Sequence, residues 1–536
     1  MTASNTLEAD VVIVGSGVAG ALMAWKLAQK NIRVLMLEAG PRIERAEMVK
    51  SITETYKRDY SGGYPNPSWA PRPDWNEPSK SNISFNGPDV THIEYLRVVG
   101  GTTWQWNASC LRFYPVDMRM KSTYGVGIDW PIDYDLIEPF YVEAEYEIGI
   151  SGDSHLEDAS TRSRPFPMPP MPHSYSDKML MQAGGDKTFK FIARPVARAT
   201  RPYGGRSVCA GFGTCAPICP SGAQYAAIIH VQMAEKAGAR VIENARVDRL
   251  EANANGYVTA AHGKRADGTP FLARGRIFVV AANGIESPRL LMMSTSERYA
   301  KGLCPSSGQL GRNFMDHPGI LCHLLMPQPV YQGRGPQSTM VSYTYRDGNY
   351  RGWHSGWLLA VNNAVRVPEI AKEFTDAGLE QPALDAAIRN RVMRQVELET
   401  QIELLPNHDN GLTLDWDNRD TAGQPKMRLY YSYSDYERGA FQHIHDTFTG
   451  FAKSMNADVL DISKPFGHYH LLGMTRMGDD AKTSVVDAHC RAHDHKNLFV
   501  LSSSVFPTGG TANPTLTLAA LTLRAVHDVE HQLRQI

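Results

Sequence analysis

Three cysteines lie within eleven residues near the middle of the chain. Cys209, Cys215 and Cys219 follow the spacing C-x5-C-x3-C-P in the stretch CAGFGTCAPICP. Zinc ribbons use paired C-x2-C knuckles and four ligands, and a disulfide would leave one of the three cysteines over. A closing Cys-Pro on a glycine-rich loop is typical of iron–sulfur binding, and three thiolates favour a three-iron cluster. Cysteines that only pack, without redox chemistry, are the alternative.

Two histidines lie two residues apart in the stretch GHYHLL. If this stretch is a strand, His468 and His470 share one face of it. A metal pair is disfavoured, because no neighbouring carboxylate or cysteine in the sequence completes a ligand set. We expect His468 and Tyr469 to line or support a pocket.

The N-terminus carries a glycine pattern that suits a nucleotide. Val11–Val14 is an apolar run typical of a buried parallel strand, and Gly15, Gly17 and Gly20 then form G-x-G-x-x-G. The first glycine permits the turn, the second lets the backbone approach a pyrophosphate, and the third allows close packing of helix and strand. Residues 21–30 have helical spacing, so the pyrophosphate would lie at a helix N-terminus.

A second predicted strand completes this unit. Val34–Leu37 is apolar and ends at Glu38, an acidic residue placed to bind a ribose hydroxyl and to disfavour a 2′-phosphate. Strand, turn, helix, strand and acid together predict a dinucleotide site. These residues alone do not decide between FAD and NAD.

Composition limits the classes of function. The chain has 536 residues, 42% hydrophobic and 21% charged, with a formal net charge of −1. Two large lobes are expected at this length, and the charge disfavours nucleic acid as a partner. No apolar stretch approaches the roughly 18 residues that span a bilayer. The first residues lack a basic segment before an apolar run, so we expect no secretory signal of the chain's own.

Five further stretches carry a family resemblance. In chain order they are RVVGGTTWQWNAS (97–109), VVAANGIESPRLLMMS (279–294), GQLGRNFMDHPG, HLLGMTRMG and NLFVLSSSVFPTGGTANPTLTLAAL. They resemble, in family order, the signatures of the glucose–methanol–choline oxidoreductases. The resemblance runs from residue 11 to about residue 525 and decides for FAD over NAD.

The resemblance implies an α/β fold: a Rossmann-type FAD-binding domain with an inserted α+β substrate domain and an iron–sulfur loop. The chain would alternate between the two domains. The predicted segments are 1–45 (first FAD-binding segment), 46–235 (mixed, with a flavin-contacting turn at 97–109 and the iron–sulfur loop at 205–222), 236–320 (second FAD-binding segment), 321–455 (substrate-binding domain) and 456–536 (catalytic segment, returning to the FAD-binding domain).

Site residues follow from the motif positions. His470 falls on the family's catalytic histidine, the base that takes a hydroxyl proton, and Asn513 falls on its second catalytic position. The predicted cofactor-binding residues are Gly15, Gly17, Gly20, Glu38, Gly100, Gly101, Thr102, Thr103, Gln105, Asn107, Val247, Ala282, Ser503, Pro514 and Thr515. Two positions depart from the family. Gln105 stands where some relatives have a histidine, so we expect a non-covalent FAD, and Ser502 replaces the usual aspartate.

The cysteine loop resembles one branch of the family, the flavoprotein subunit of bacterial membrane-bound sugar, polyol and sugar-acid dehydrogenases. In that branch, electrons pass from FAD through a [3Fe–4S] cluster, here at Cys209, Cys215 and Cys219, to a membrane-anchored multihaem cytochrome c. A small chaperone-like subunit carries the export signal, which implies the periplasmic face of the inner membrane. The alternatives are an oxidase of the same family that uses O2, and a non-catalytic electron-transfer subunit.

Overall fold

A computed structural model describes residues 5–54, 62–75, 77–89, 91–156, 158–185 and 188–535. The strands are β1 (Thr6–Glu8), β2 (Val11–Val14), β3 (Val34–Leu37), β4 (Ile83–Phe85), β5 (Phe191–Ala193), β6 (Arg240–Ile242), β7 (Ala245–Ala252), β8 (Val258–Arg265), β9 (Pro270–Arg274), β10 (Ile277–Val280), β11 (Pro318–Gly319), β12 (Leu321–Leu325), β13 (Met340–Ser342), β14 (Trp357–Asn362), β15 (Gln395–Ile402), β16 (Gly411–Arg419), β17 (Pro425–Tyr430), β18 (Asp458–Ile462), β19 (Phe466–Gly467) and β20 (Leu498–Val500). The α-helices are α1 (Val18–Ala28), α2 (Arg45–Glu54), α3 (Met120–Tyr124), α4 (Tyr134–Ile148), α5 (Tyr175–Leu180), α6 (Ile228–Lys236), α7 (Asn283–Met293), α8 (Val367–Asp376), α9 (Ala383–Arg394), α10 (Asp435–Ser454) and α11 (Pro514–Gln535).

A five-stranded parallel sheet forms the nucleotide half of the molecule. Its order is β20-β10-β2-β3-β6, and β2, β3 and β10 are buried along their whole length. Such continuous apolar strands require cover on both faces, and α1 packs between α6 and α11. The strands come from three separated parts of the chain (11–37, 240–280 and 498–500), which confirms the predicted Rossmann-type α/β fold assembled from distant segments.

A six-stranded antiparallel sheet forms the other half. Its order is β18-β12-β15-β14-β13-β5, and α10 packs against it through an apolar stripe that includes Ile444 and Phe448. Two strands of this sheet, β5 and β18, lie outside the segment 321–455 that the sequence assigns to the substrate domain. The exact domain boundaries stay a prediction.

The two halves meet at the carboxyl ends of the parallel strands. Open α/β sheets bind their ligands at this edge, because the strand-to-helix turns gather there. Smaller sheets complete the fold, namely β1-β9-β8-β7, β16-β17-β4 and the pair β11-β19. In the described ranges, none of the helices is both long enough and apolar enough to span a membrane.

Candidate functional site

One cavity of about 650 Å³ runs from the parallel sheet to the antiparallel sheet. Its nucleotide end is lined by the turns that follow β2, β3, β10 and β20. Its other end is lined by alternate residues of β14 and β15. All the predicted catalytic and cofactor residues line this cavity except Gly20 and Gly100.

The first glycine turn has the shape that a pyrophosphate requires. A Cβ atom on Gly17 would meet nothing within 4 Å, so this backbone faces open space. A Cβ on Gly20 would lie 2.0 Å from the carbonyl oxygen of Gly15, and Gly15 itself has φ +102°. Gly20 therefore serves the packing of α1 on the turn, which is the role predicted for the third glycine, and Gly17 presents its backbone to the cavity.

Glu38 is buried at the end of β3 and fixes the same turn. Its Oε2 accepts hydrogen bonds from the backbone N–H (3.0 Å) and the hydroxyl (2.7 Å) of Ser16, and its Oε1 accepts one from the Gly40 N–H (3.0 Å). Burial raises the pKa of Glu38, although these donors oppose the rise. The carboxylate also borders the cavity, where a ribose hydroxyl would add a further donor.

A second turn, the 3₁₀ helix Gly101–Trp104, lies against the first. The Gly100 N–H donates to the Ser16 hydroxyl (3.1 Å), and a Cβ on Gly101 would lie 3.1 Å from the Gly17 Cα. Gly100 and Gly101 have φ of +94° and +59°, so the turn depends on glycine at both positions. The hydroxyl of Thr103 donates to the Gly100 carbonyl (2.7 Å) and fixes the turn internally.

The remaining predicted cofactor residues complete the wall. They come from several separate parts of the chain and comprise Thr102, Asn107, Val247, Ala282, Ser503, Pro514 and Thr515. Pro514 begins α11, whose 22 residues direct a partial positive charge at the cavity. Ser502, at the position of the family's aspartate, is buried and shares a hydrogen bond with the Ser504 hydroxyl (2.6 Å).

These residues fit a flavin dinucleotide. The open backbone at Gly17 can receive a pyrophosphate at the N-terminus of α1, and Glu38 borders the same space. The buried side-chain oxygens of Gln105 and Asn513 have no hydrogen-bond partner in the described protein, and both residues line the cavity. Unpaired buried polar atoms that border a cavity point to a polar ligand within it.

His470 is held in one tautomer by a chain of hydrogen bonds. Nε2 of His317 lies 2.9 Å from the carbonyl oxygen of Gly510, which can only accept, so Nε2 carries the proton. Burial lowers the pKa of His317 to about 4, so the ring is neutral and its Nδ1 is a bare acceptor. His470 Nδ1 lies 2.8 Å from that atom and therefore donates to it. His470 Nε2 is therefore unprotonated and accepts a hydrogen bond from the amide nitrogen of Asn513 at 3.3 Å.

The surroundings of His470 keep it neutral. Burial first, then His317 and His468, lower its pKa well below the usual value. The Asp316 carboxylate accepts the backbone N–H of both His470 (2.9 Å) and His317 (2.7 Å), which joins the two histidine segments. Burial raises the pKa of Asp316 to about 6. The arrangement presents an unprotonated imidazole nitrogen to the cavity.

His468 forms an ion pair beside this base. Its Nε2 lies 2.9 Å from Glu399 and its Nδ1 2.8 Å from the His317 carbonyl oxygen, so both nitrogens donate. Burial favours neutral His468, but Glu399 outweighs it and raises the pKa of His468. Burial likewise opposes ionisation of Glu399, but His468 and Asn362 lower its pKa to about 2.

His468 and His470 do not lie on a strand, although the sequence analysis considered one there. β19 ends at Gly467, and Tyr469 has φ +63°, a left-handed conformation that a strand does not contain. The turn nevertheless stacks the rings of His468 and His470, with centroids 6.0 Å apart. His468 and Tyr469 both line the cavity, as we expected.

Several site residues escaped the sequence analysis. Glu397, Glu399 and Gln401 project from one face of β15, and Asn362 at the end of β14 donates to both glutamates (2.9 and 2.8 Å). The sequence signal for them was the alternation of polar and apolar residues in the stretch QVELETQI, because every second residue of a strand lies on the same face. The position of His317 was visible only as part of a family motif without an assigned role.

The cysteine loop packs against the second turn. The Tyr64 hydroxyl donates to the Pro217 carbonyl (2.7 Å), and the Gln224 amide bridges the carbonyls of Cys215 (3.0 Å) and Trp106 (2.6 Å). Arg45 donates to the Cys219 carbonyl (2.8 Å) and stacks on Trp104 at 5.0 Å. The loop is therefore tied to the segment 104–106 that borders the predicted flavin site.

All seven cysteines are free thiols. Burial raises the pKa of Cys209, and the neighbouring Cys215 and Cys219 raise it further. In the part of the chain that the structure describes, however, no three His, Cys, Asp or Glu side chains stand in a metal-binding arrangement. The donor set is right for iron–sulfur chemistry, whereas the side-chain placement is not that of an assembled ligand set.

Comparison with known proteins identifies the family. Residues 172–319 and 406–522 match the GMC oxidoreductase family, and residues 13–44 match an NAD(P)-binding Rossmann-like domain. The chain is 36% identical to the fructose dehydrogenase large subunit of Gluconobacter japonicus, over 99% of both chains. It belongs to the GMC oxidoreductase family.

Two further GMC relatives place the chain more broadly. It is 24% identical to the gluconate 2-dehydrogenase flavoprotein of Pantoea cypripedii, over 99% of this chain and 95% of the relative. The formate oxidase of Aspergillus oryzae RIB40 shares its fold, with a TM-score of 0.66, 15% identity and coverage of 99% and 100% of the two chains. As a GMC oxidoreductase, the protein is an FAD-dependent enzyme that acts on CH–OH groups.

Proposed function

We propose that this protein is the catalytic flavoprotein subunit of a dehydrogenase complex that oxidises a hydroxyl group of a sugar, polyol or sugar acid. The observation that carries the proposal is the unprotonated Nε2 of His470 beside the Asn513 amide. This pair lies where the cradle for the dinucleotide meets the polar face of the antiparallel sheet. A relay subunit without a substrate of its own would need neither group.

The protein residues would act on the hydroxyl group. When bound, FAD supplies a hydride acceptor at its N5 atom. His470 Nε2 accepts the proton of the substrate hydroxyl, and the Asn513 amide donates to the substrate oxygen and fixes its position. His317 keeps the accepting nitrogen unprotonated. The carboxylates and amides of β14 and β15 offer hydrogen-bond acceptors and donors to the other hydroxyls of a polyhydroxylated substrate.

We further propose that electrons leave the protein through a [3Fe–4S] cluster held by Cys209, Cys215 and Cys219, toward a cytochrome c subunit and the quinone pool. The loop's contacts with the segment 104–106 support this route, as does the similarity to a relative named as a large subunit. The proposal includes a non-covalent FAD, a small partner subunit that carries the export signal, and a location at the periplasmic face of the inner membrane.

Anaerobic mixing with a panel of sugars, polyols and sugar acids tests the catalytic part. Bleaching of the flavin absorbance by a member of the panel supports it, and no bleaching by any member contradicts it. Reoxidation by O2 as fast as by an artificial electron acceptor would favour the oxidase alternative.

The electron route has a separate test. Iron and acid-labile sulfide should be present in the purified complex and lost in Cys215→Ser. We expect this variant to bleach normally with substrate but to reduce cytochrome slowly. Intact cytochrome reduction in Cys215→Ser would exclude the cluster from the route.

A further inference from the structure

A buried arginine without a counter-ion lines the substrate end of the cavity. Arg194 directly follows β5 and is only 6% exposed. Its Nε donates to the Ser109 hydroxyl at 2.8 Å, and its Nη1 donates to the Ser338 hydroxyl. Hydroxyl groups carry no charge, and none of the described Asp or Glu side chains forms an ion pair with this guanidinium. The positive charge is therefore buried without an ion-pair partner among the described residues.

Four other buried arginines of this protein are compensated by a carboxylate or by several backbone acceptors. Three have a carboxylate within 3 Å, namely Arg112 with Glu145 (2.8 Å), Arg289 with Asp420 (2.7 Å) and Arg351 with Glu403 (2.7 Å). Arg206 instead donates to four backbone carbonyl oxygens. Burying a charge is costly unless it is paired or fully hydrogen-bonded. By this comparison, Arg194 lacks a partner that the fold supplies elsewhere.

The two carboxylates that β15 contributes to the cavity are already paired with other cations. Glu399 pairs with His468 at 2.9 Å. Glu397 lies 3.1 Å from His323 and 3.7 Å from Arg366. Neither β15 carboxylate is therefore left unpaired for Arg194.

The position of Arg194 suits a group on the substrate rather than on the cofactor. Its anchor Ser109 lies two residues beyond Asn107, at the end of the flavin-contacting turn. Its charge also acts on both His470 and Glu399, which lie at the substrate end. A small molecule in this cavity can therefore reach both the base and the guanidinium.

We propose that the substrate is a sugar acid and that Arg194 binds its carboxylate. This inference rests on the proposed function and deepens it, because it selects one of the three substrate classes named there. Nη2 makes no hydrogen bond to a described residue and is available, together with the second N–H of Nη1, for a carboxylate. Guanidinium and carboxylate groups match in geometry and form two parallel hydrogen bonds.

Pairs of ligands that differ only at one carbon test this inference. Gluconate against sorbitol, and glucuronate against glucose, exchange a carboxylate for a CH2OH group. Calorimetric titration of the FAD-loaded protein measures binding without turnover, and anaerobic flavin bleaching measures kcat and KM. We expect the acid of at least one pair to bind and react better than its neutral partner.

Arg194→Met removes the charge while keeping a chain of similar length. We expect it to weaken binding of the acid and raise its KM on the order of 10- to 100-fold, as for loss of a charge-assisted hydrogen-bonded pair, and to leave the neutral partner within about threefold. Arg366→Met is the matched control, since Arg366 also borders the cavity but already contacts Glu397. We expect only a small effect there.

The outcomes are separable. Preference for the neutral member of both pairs would overturn the inference while leaving the proposed function intact. An equal fall in kcat for acid and neutral substrates in Arg194→Met would also overturn it, because that result assigns Arg194 to the reacting oxygen. If nothing in the panel bleaches the flavin, the proposed function fails. Calorimetry still decides this inference in that case. Binding of the acid to the wild type that is lost in Arg194→Met supports the inference, and no binding of the acid to the wild type overturns it.

Discussion

Replacement of His317 by glutamine should disable the base without removing it. His317 Nδ1 is the acceptor for the Nδ1 proton of His470 at 2.8 Å, and this contact fixes which nitrogen of His470 faces the substrate. A glutamine amide nitrogen can replace the Nε2 donor to Gly510, but the Nδ1 acceptor is lost. An asparagine at the same position keeps an oxygen near Nδ1 and loses the donor. The two variants therefore separate the two hydrogen bonds of one side chain.

The size of the effect follows from the contacts. In His317→Gln, the buried Nδ1–H of His470 loses its acceptor, which costs about 1–3 kcal/mol. In the opposite tautomer Nε2 carries the proton, and the Asn513 amide must turn its unpaired Oδ1 toward Nε2 in place of the amide nitrogen. One hydrogen bond then replaces another, so this exchange adds nothing to the bias. A bias of about 1–3 kcal/mol toward the unreactive tautomer corresponds to a fall in kcat of roughly 5- to 160-fold.

Anaerobic stopped-flow bleaching of the flavin measures this fall directly. His317→Gln should bind FAD normally, show a KM within a few-fold of the wild type and lose most of kcat. His317→Asn should lose less than about tenfold. Near-normal kcat in His317→Gln, or equal losses in both variants with a matching loss of FAD, would refute the tautomer argument.

Three further predictions concern the cofactor cradle and the charges around the base. Gly17→Ala should leave the melting temperature of the FAD-free protein unchanged and weaken FAD binding more than tenfold. Gly20→Ala should destabilise the fold itself, because its Cβ would lie 2.0 Å from a carbonyl oxygen. FAD titration and thermal melting distinguish the two variants. Because the pKa of His470 is well below 6.5, kcat/KM should stay level across neutral pH and fall only in more acidic solution as the base is protonated; a limb centred at or above 6.5 would contradict this. The double variant His468→Gln with Glu399→Gln removes the His468 cation, which lowers the pKa of His470, and removes the Glu399 carboxylate with it. The acidic fall in kcat/KM should then move toward higher pH. A fall at the same pH as in the wild type would show that the pair does not act on the base.

The sequence predicted those parts of the fold that local patterns encode. The strand Val11–Val14, the glycine turn and the strand Val34–Leu37 lie where their apolar runs indicated, because a parallel strand covered on both faces reads as a continuous apolar stretch. Motifs far apart in the chain line one cavity, and those that begin at Gly15, Ala281 and Leu501 do so because each follows a strand of the same parallel sheet. The family resemblance is confirmed by the match to the GMC oxidoreductases.

The parts that were missed depend on the pairing of distant strands. Glu399 meets His468 only because β15 pairs with β12 in one register, and a shift of one residue would turn its side chain to the other face. Arg194 enters the cavity because β5 joins the edge of the same sheet by pairing with β13. The first residues of these two strands, Phe191 and Met340, are 149 positions apart in the sequence. No local pattern in the sequence encodes the pairing of such distant strands.

Flavin reduction by His470→Ala tests the central claim most directly. The variant should be purified with FAD bound, and then mixed anaerobically with the substrate that reduces the wild type fastest. We predict a fall in the rate of flavin bleaching of about 100-fold or more, the contribution typical of a positioned base, with the FAD content unchanged. Bleaching at the wild-type rate would show that His470 is not the base.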